Sequence, residues 1–150
     1  MACLLASRLA GQGKSLNISS IGCGLCQDYY ALTSALYGIA PFNYWGYDAA
    51  AWDMHRVLPS PGDNFSYLNS SVKYFRSLNV KGIDAFVFPK SLSDIDYFGL
   101  THLASVIAGT DRKTLYFLNS YVRKNDEVYG SFDLIERALL GVNFNLTYHS

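Results

Sequence analysis

The chain predicts a single α/β domain over residues 1–150: a three-layer sandwich with a mostly parallel central sheet. Three observations carry that prediction. Short apolar runs with strand character alternate with helix-periodic segments almost throughout, the pattern of a sheet covered by helices on both faces. Half the residues are hydrophobic and 15% are aromatic, enough apolar surface over 150 residues for one sizeable core. Glycine and proline clusters punctuate the periodic segments at short intervals, as turns do in compact domains.

In chain order, residues 2–10 read as a short helix stopped by Gly11 and Gly13. Leu16 to Ile21 reads as a buried first strand. Residues 26–37 read as a helix, ended by Gly38 and Pro41, and the aromatic-rich Phe42 to Tyr47 as a second strand closed by Asp48. Ala49 to Val57 has a helical pattern, and the Pro59 to Asn64 segment is the strongest loop signal in the chain. Val72 to Phe75 is taken as the third strand and Ile83 to Phe88, closed by Pro89, as the fourth. Asp94 to Ala108 reads as a helix capped by Ser93 or Asp94, and Thr114 to Val122 as a fifth strand. Ser131 to Leu140, with Ser131 as cap and Gly141 at its end, is a helix, and Val142 to Tyr148 a last strand.

Composition narrows the function. Basic and acidic side chains balance to a formal charge of zero, so nucleic acid is not indicated as a partner. Three cysteines do not make a secreted disulfide framework, the apolar run near Met1 is shorter than a signal peptide needs, and no segment reads as a membrane span. The cytoplasm is the expected location. Four Asn-x-Ser/Thr triplets, at Asn17, Asn64, Asn69 and Asn145, carry little meaning without a signal peptide.

The chemistry concentrates between Ser20 and Asp28. Gly22 and Gly24 let the chain turn sharply after the first strand and let a ligand approach the backbone. In parallel sheets such turns at the carboxyl ends of strands are where ligands bind. One strand later Asp48 stands where an acid can accept both hydroxyls of a ribose, and it also suits a helix N-cap.

The order strand–IGCG–helix–strand–GYD–helix, followed by the strand IDAFVFPKSL, resembles the class I S-adenosylmethionine-dependent methyltransferases, over roughly residues 15–148. The resemblance implies a Rossmann-like fold and S-adenosylmethionine as methyl donor. It implies that Ser20, Gly22, Cys23 and Gly24 lie under the methionine and ribose, and that Asp48 binds the ribose hydroxyls. Ala49 would lie beside the adenine, with Ser77 and Leu78 a looser match there. Phe88, Pro89, Lys90 and Ser91 would face the transferred methyl group. Lys90, Asp94 and Tyr121 are candidates for a general base where the acceptor must lose a proton. The acceptor is expected to be a small molecule or a protein.

The sequence departs from the family's pattern at identifiable places. Ser20 stands where an acid is usual, two residues before the first glycine, Cys26 stands where a third small residue is often glycine, and no acid stands at Ser77, Leu78 or Asn79. One candidate strand at the end, in place of the usual antiparallel pair, suggests a fragment, a minimal form or a sheet completed by a partner chain or oligomer.

Two other functions fit parts of the pattern. Cys23-x-x-Cys26 has the spacing of a thioredoxin-like thiol–disulfide pair, although no tryptophan precedes it and the flanking glycines suit a cofactor turn. The altered motifs also suit a non-catalytic interaction domain derived from a methyltransferase. A zinc site would need two ligands from Cys3, His55, His102 and His149, which lack ligand spacing, so no metal is expected. A nicotinamide enzyme fits less well, since Gln27 stands where the third glycine of Gly-x-Gly-x-x-Gly belongs.

Overall fold

A computed structural model describes residues 15–53, 61–69, 82–89, 91, 95–109 and 114–118. Their elements are β1 (Leu16–Ile21), α1 (Gln27–Leu36), β2 (Phe42–Asp48), β3 (Phe65–Asn69), β4 (Ala85–Phe88), α2 (Tyr97–Ala108) and β5 (Leu115–Leu118). The five strands form one sheet in the order β3-β2-β1-β4-β5, and every neighbouring pair is parallel. This is the expected Rossmann-like arrangement.

Strand order reverses direction between β1 and β4. The β1-α1-β2 connection steps to one side of β1 and β4-α2-β5 steps away on the other. Because such crossovers are right-handed, α1 and α2 cover opposite faces, and a crevice opens at the carboxyl ends of β1 and β4.

Register sorts the side chains. Ile18 pairs with Tyr44 and Ala85, and Tyr44 with Phe65, so these residues share one face with Leu16, Phe42 and Val87. That face and α1 form one apolar cluster, with Cys26, Tyr29, Leu32 and Leu36 supplied from the helix side. Tyr29 is its centre: its ring meets those of Phe42, Tyr44 and Phe65 edge-on or tilted at 4.9–6.0 Å between centroids. Its hydroxyl donates to Asn64 Oδ1 (2.9 Å) and accepts from the Gly62 N–H (3.0 Å), pinning the loop that feeds β3. The alternate residues Ile21, Phe86 and Phe88 are buried on the other face, and α2 buries Leu100 and Leu103.

Several expectations change. The third strand is Phe65–Asn69, a short edge strand whose alternating residues are only half covered. Val72 to Phe75 lies outside the described residues. Ala49 to Asp53 is not helical. Asp48 Oδ1 instead accepts from the Ala50 N–H (2.8 Å), Tyr67 donates its hydroxyl to the Ala50 carbonyl, and Asn69 Nδ2 donates to that of Ala49 (3.4 Å). With both carbonyls held sideways by β3, no helix starts there. The cap of α2 is Asp96, whose Oδ1 accepts from Gly99 N at 2.7 Å; Ser93 and Asp94 are outside the described residues. So are the segments expected as helices at 2–10 and 131–140 and as the last strand.

Candidate cofactor site

The site grows from the turn that joins β1 to α1. Gly22, Gly24 and Cys26 all take positive φ, at 64°, 52° and 53°. The two glycines adopt that region without strain, whereas Cys26 is held there by the turn bond from its N–H to the Cys23 carbonyl (2.9 Å) and by its buried side chain. α1 then starts from Cys26 with no side-chain cap.

This turn is laced to the end of β2. The N–H groups of Gly22 and Cys23 both donate to the Tyr47 carbonyl, at 2.8 and 3.1 Å, and that of Gly24 donates to Asp48 Oδ2 at 2.7 Å. Three consecutive donors are therefore satisfied within the protein. A glycine turn that cradles phosphate keeps such donors for its ligand; here they are already engaged, so the turn is not built for an anion.

Asp48 is half-buried, with each oxygen accepting one N–H, from Gly24 and from Ala50. A carboxylate has about four lone-pair sites, so one remains on each oxygen, enough for the two hydroxyls of a ribose. Ala49 next to it is exposed. The Tyr67 hydroxyl that holds this segment has its pKa pushed up to about 12, chiefly by burial.

On the other side of the turn, Ser91 is buried and donates its hydroxyl to the Ile21 carbonyl at 2.5 Å. A Cβ on Gly22 would come within 2.4 Å of Ser91 Cβ, so glycine is required for space as well as for φ. Ser91 thus ties the segment after β4 to the end of β1, across the crevice.

Beneath the turn lies a polar notch. Ser20 on β1 is opposite Gly46 on β2. A Cβ on Gly46 would meet Cys23 Sγ at 2.9 Å and Cys26 Sγ at 3.1 Å, so the missing side chain makes room for both thiols. Both are free and buried. Both thiols donate to the Gly24 carbonyl at 3.9 Å, and the neighbouring Cys26 thiol together with burial raises the pKa of Cys23.

Asp28, from the first turn of α1, enters the same notch. It is 8% exposed, and its Oδ1 accepts from the Tyr44 hydroxyl at 2.8 Å. Its Oδ2 and the neighbouring Ser20 Oγ are buried without a hydrogen-bond partner. Burial raises the carboxyl's pKa, opposed by the Ser20 and Tyr44 hydroxyls and by the N–H groups of Asp28 and Tyr29.

The structure therefore brings together Ser20, Gly22, Cys23, Gly24, Asp48 and Ala49, with Ser91 alongside. Phe88 ends β4 as a fully buried ring. Ser77, Leu78, Lys90, Asp94 and Tyr121 are outside the described residues. Sequence reasoning passed over Asp28, which looks like an ordinary first-turn acid, and Gly46, although a glycine inside a strand signals a close approach. Among the described residues no three His, Cys, Asp or Glu gather to hold a metal ion, and no helix is long and apolar enough to cross a membrane.

No protein-family description and no curated protein matches the chain. Solved structures do. A TehB-like SAM-dependent methyltransferase from Corynebacterium glutamicum superposes with a TM-score of 0.60 at 12% identity, over 91% of this chain and 71% of that one. The plantazolicin methyltransferase BpumL, in complex with SAH, gives 0.60 at 16% identity; the match covers 95% of this chain and 61% of that one. At these identities the likeness is one of fold: the chain has the class I S-adenosylmethionine-dependent methyltransferase fold.

Proposed function

We propose that the chain binds S-adenosylmethionine and transfers its methyl group to a small-molecule or protein acceptor. The observation that carries the reading is the engagement of the Gly22, Cys23 and Gly24 N–H groups by Tyr47 and Asp48. A turn with its donors spent suits a ligand that is cationic or hydroxylated there, and disfavours the pyrophosphate of a dinucleotide.

The residues fit the cofactor in kind. Asp48 would take the ribose hydroxyls on its two remaining lone-pair sites, and exposed Ala49 would flank the adenine. Ser20, Gly22, Cys23 and Gly24 would underlie the methionine, and Phe88 would border the site from the end of β4. Ser77 and Leu78 keep their proposed place beside the adenine. The bound cofactor supplies an activated methyl group on a sulfonium. The protein's task is chiefly to hold and align it and to exclude water. Where the acceptor must lose a proton, Lys90, Asp94 and Tyr121 are the proposed bases. The zero net charge favours a small-molecule or protein acceptor over nucleic acid. A reducing compartment, the cytoplasm, suits the two free thiols beneath the turn, and a partner chain or oligomer contact is proposed to complete the sheet.

Isothermal titration with S-adenosylmethionine and S-adenosylhomocysteine tests this directly. Micromolar binding of both is expected; no heat or displacement up to millimolar ligand overturns the reading for this chain.

A further inference from the structure

We propose that Asp28 is the counter-charge that makes this site favour the cationic methyl donor over its neutral product, a role that rests on the cofactor reading above.

The argument begins with an acid in an expensive place. Asp28 is 8% exposed, it lies in the notch beneath the glycine turn, and among the described residues no basic side chain acts on it. A buried carboxyl kept only for structure would have its oxygens matched or would be replaced by an amide. Here Oδ1 is held by Tyr44, while Oδ2 and the adjacent Ser20 Oγ have no partner. One oxygen of an oriented carboxyl is left to act through its field.

That field reaches the turn: Asp28 contributes to raising the pKa of Cys23, the residue between the two glycines. The ligand above the turn differs by one unit of charge between its two forms. The donor carries a sulfonium, an ammonium and a carboxylate, the product only the last two. Ser20 leaves the end of β1 without an acid, and Asp28 brings one to the same spot from the helix.

Among the described residues, Tyr67 from β3 and Tyr30 from α1 act on the notch thiols from further out, and the nearer titratable groups are these. Cys23 and Cys26 face the notch from the turn, Tyr44 from β2, Tyr29 from α1, and Asp48 stands at the end of β2. Burial raises Asp28 above its ordinary value, so its ionisation falls at higher pH than that of an exposed aspartate. Cys26, whose pKa is lowered, is the one neighbour whose titration has to be separated from that of Asp28.

The test is the ratio of product to donor dissociation constants, by calorimetry, from pH 5 to pH 9. The sulfonium lowers the donor's own amino pKa relative to the product's, so the ratio in the unmodified protein is read against that in Asp28→Asn at each pH, a comparison in which ligand titration cancels. This relative ratio is expected to rise about tenfold as Asp28 ionises, the scale of one partly screened charge pair. Cys26→Ser keeps the rise, and Tyr44→Phe, which removes a bond that favours the ion, moves it to higher pH. A flat relative ratio, the unmodified protein following Asp28→Asn at every pH, overturns the proposal while the cofactor reading stands. If neither ligand binds, both fall together.

Discussion

Asp48 is the residue whose loss separates a cofactor site from a well-braced turn. Its carboxylate does two things at once in the proposed complex. It accepts the Gly24 and Ala50 N–H groups at 2.7 and 2.8 Å, and its two remaining lone-pair sites would accept the ribose hydroxyls. Asp48→Ala removes both functions, so a drop in affinity alone would not show which one mattered. The structural part has a bounded size. Two half-buried N–H groups lose a charged acceptor but can turn to water, at about 1–2 kcal/mol in all, which in a domain of this size lowers Tm by roughly 3–8 °C.

The ligand part is larger. Two hydrogen bonds to a charged acceptor at about 1.5 kcal/mol each give about 3 kcal/mol, or about 100-fold in affinity. The two parts are separated by a cycle that crosses the protein change with a change in the ligand. S-adenosylhomocysteine and its 2′-deoxy analogue are titrated into the unmodified protein and into Asp48→Ala. In the unmodified protein the deoxy analogue is expected to bind about tenfold more weakly; in the variant the two ligands should bind within a factor of two. A coupling near zero, with the deoxy penalty unchanged in Asp48→Ala, would refute the ribose assignment and reduce Asp48 to a brace between the turn and β2.

Two further outcomes follow from the notch beneath the turn. Gly46→Ala places a methyl group 2.9 Å from Cys23 Sγ and 3.1 Å from Cys26 Sγ; overpacking of this kind costs about 1–3 kcal/mol, and a lower Tm restored in part by Cys26→Ala checks it by thermal unfolding. Burial holds the folded pKa of Asp28 above that of an ordinary aspartate, so the folded state keeps a proton that the unfolded chain has released, and stability falls as pH rises from the ordinary value through the folded pKa. Asp28→Asn is therefore expected to gain Tm relative to the unmodified protein at pH 7 compared with pH 4, and an equal difference at both pH values would contradict the sign.

What was legible in the sequence is what backbone chemistry dictates locally. β1, α1 and β2 are bounded by glycines and a proline that leave the chain few options, and their limits differ from expectation by a residue or so. β3 was not legible because an edge strand buries only one side, so Phe65-Ser66-Tyr67-Leu68-Asn69 lacks the continuous apolar run of β4. The helical pattern after Asp48 gave way to side chains from β3 distant in sequence, Tyr67 and Asn69, which capture the carbonyls a helix would need. The cap of α2 was ambiguous because Ser93, Asp94 and Asp96 all precede the apolar run; Asp96 is the one that captures the Gly99 N–H. At the site, Gly22, Gly24 and Asp48 announced themselves by spacing. Gly46 and Asp28 did not, and Ser91, placed beside the methyl group by resemblance, gave no sign of its bond to the Ile21 carbonyl, since each acts through a neighbour brought in by another strand or helix.

Ser20, Gly46 and Asp28 make sense only together. Ser20 and Gly46 stand opposite each other in register on β1 and β2, two of the smallest side chains at the point where the sheet meets the turn. A larger residue at either position would fill the notch. With both small, the two thiols and the Asp28 carboxyl enter from the helix side. The resulting acid is held by Tyr44 on β2 and by the first turn of α1, with the Ser20 hydroxyl on β1 beside it but not bonded to it. The acid is deeply buried, and burial penalises its charged form. In the proposed complex a cationic ligand above the turn would offset that penalty, which no basic side chain among the described residues does. On the proposed reading, Asp28 supplies from α1 the acid that Ser20 does not, which would tie the charge of the site to α1 and leave β1 free to pack closely against β2.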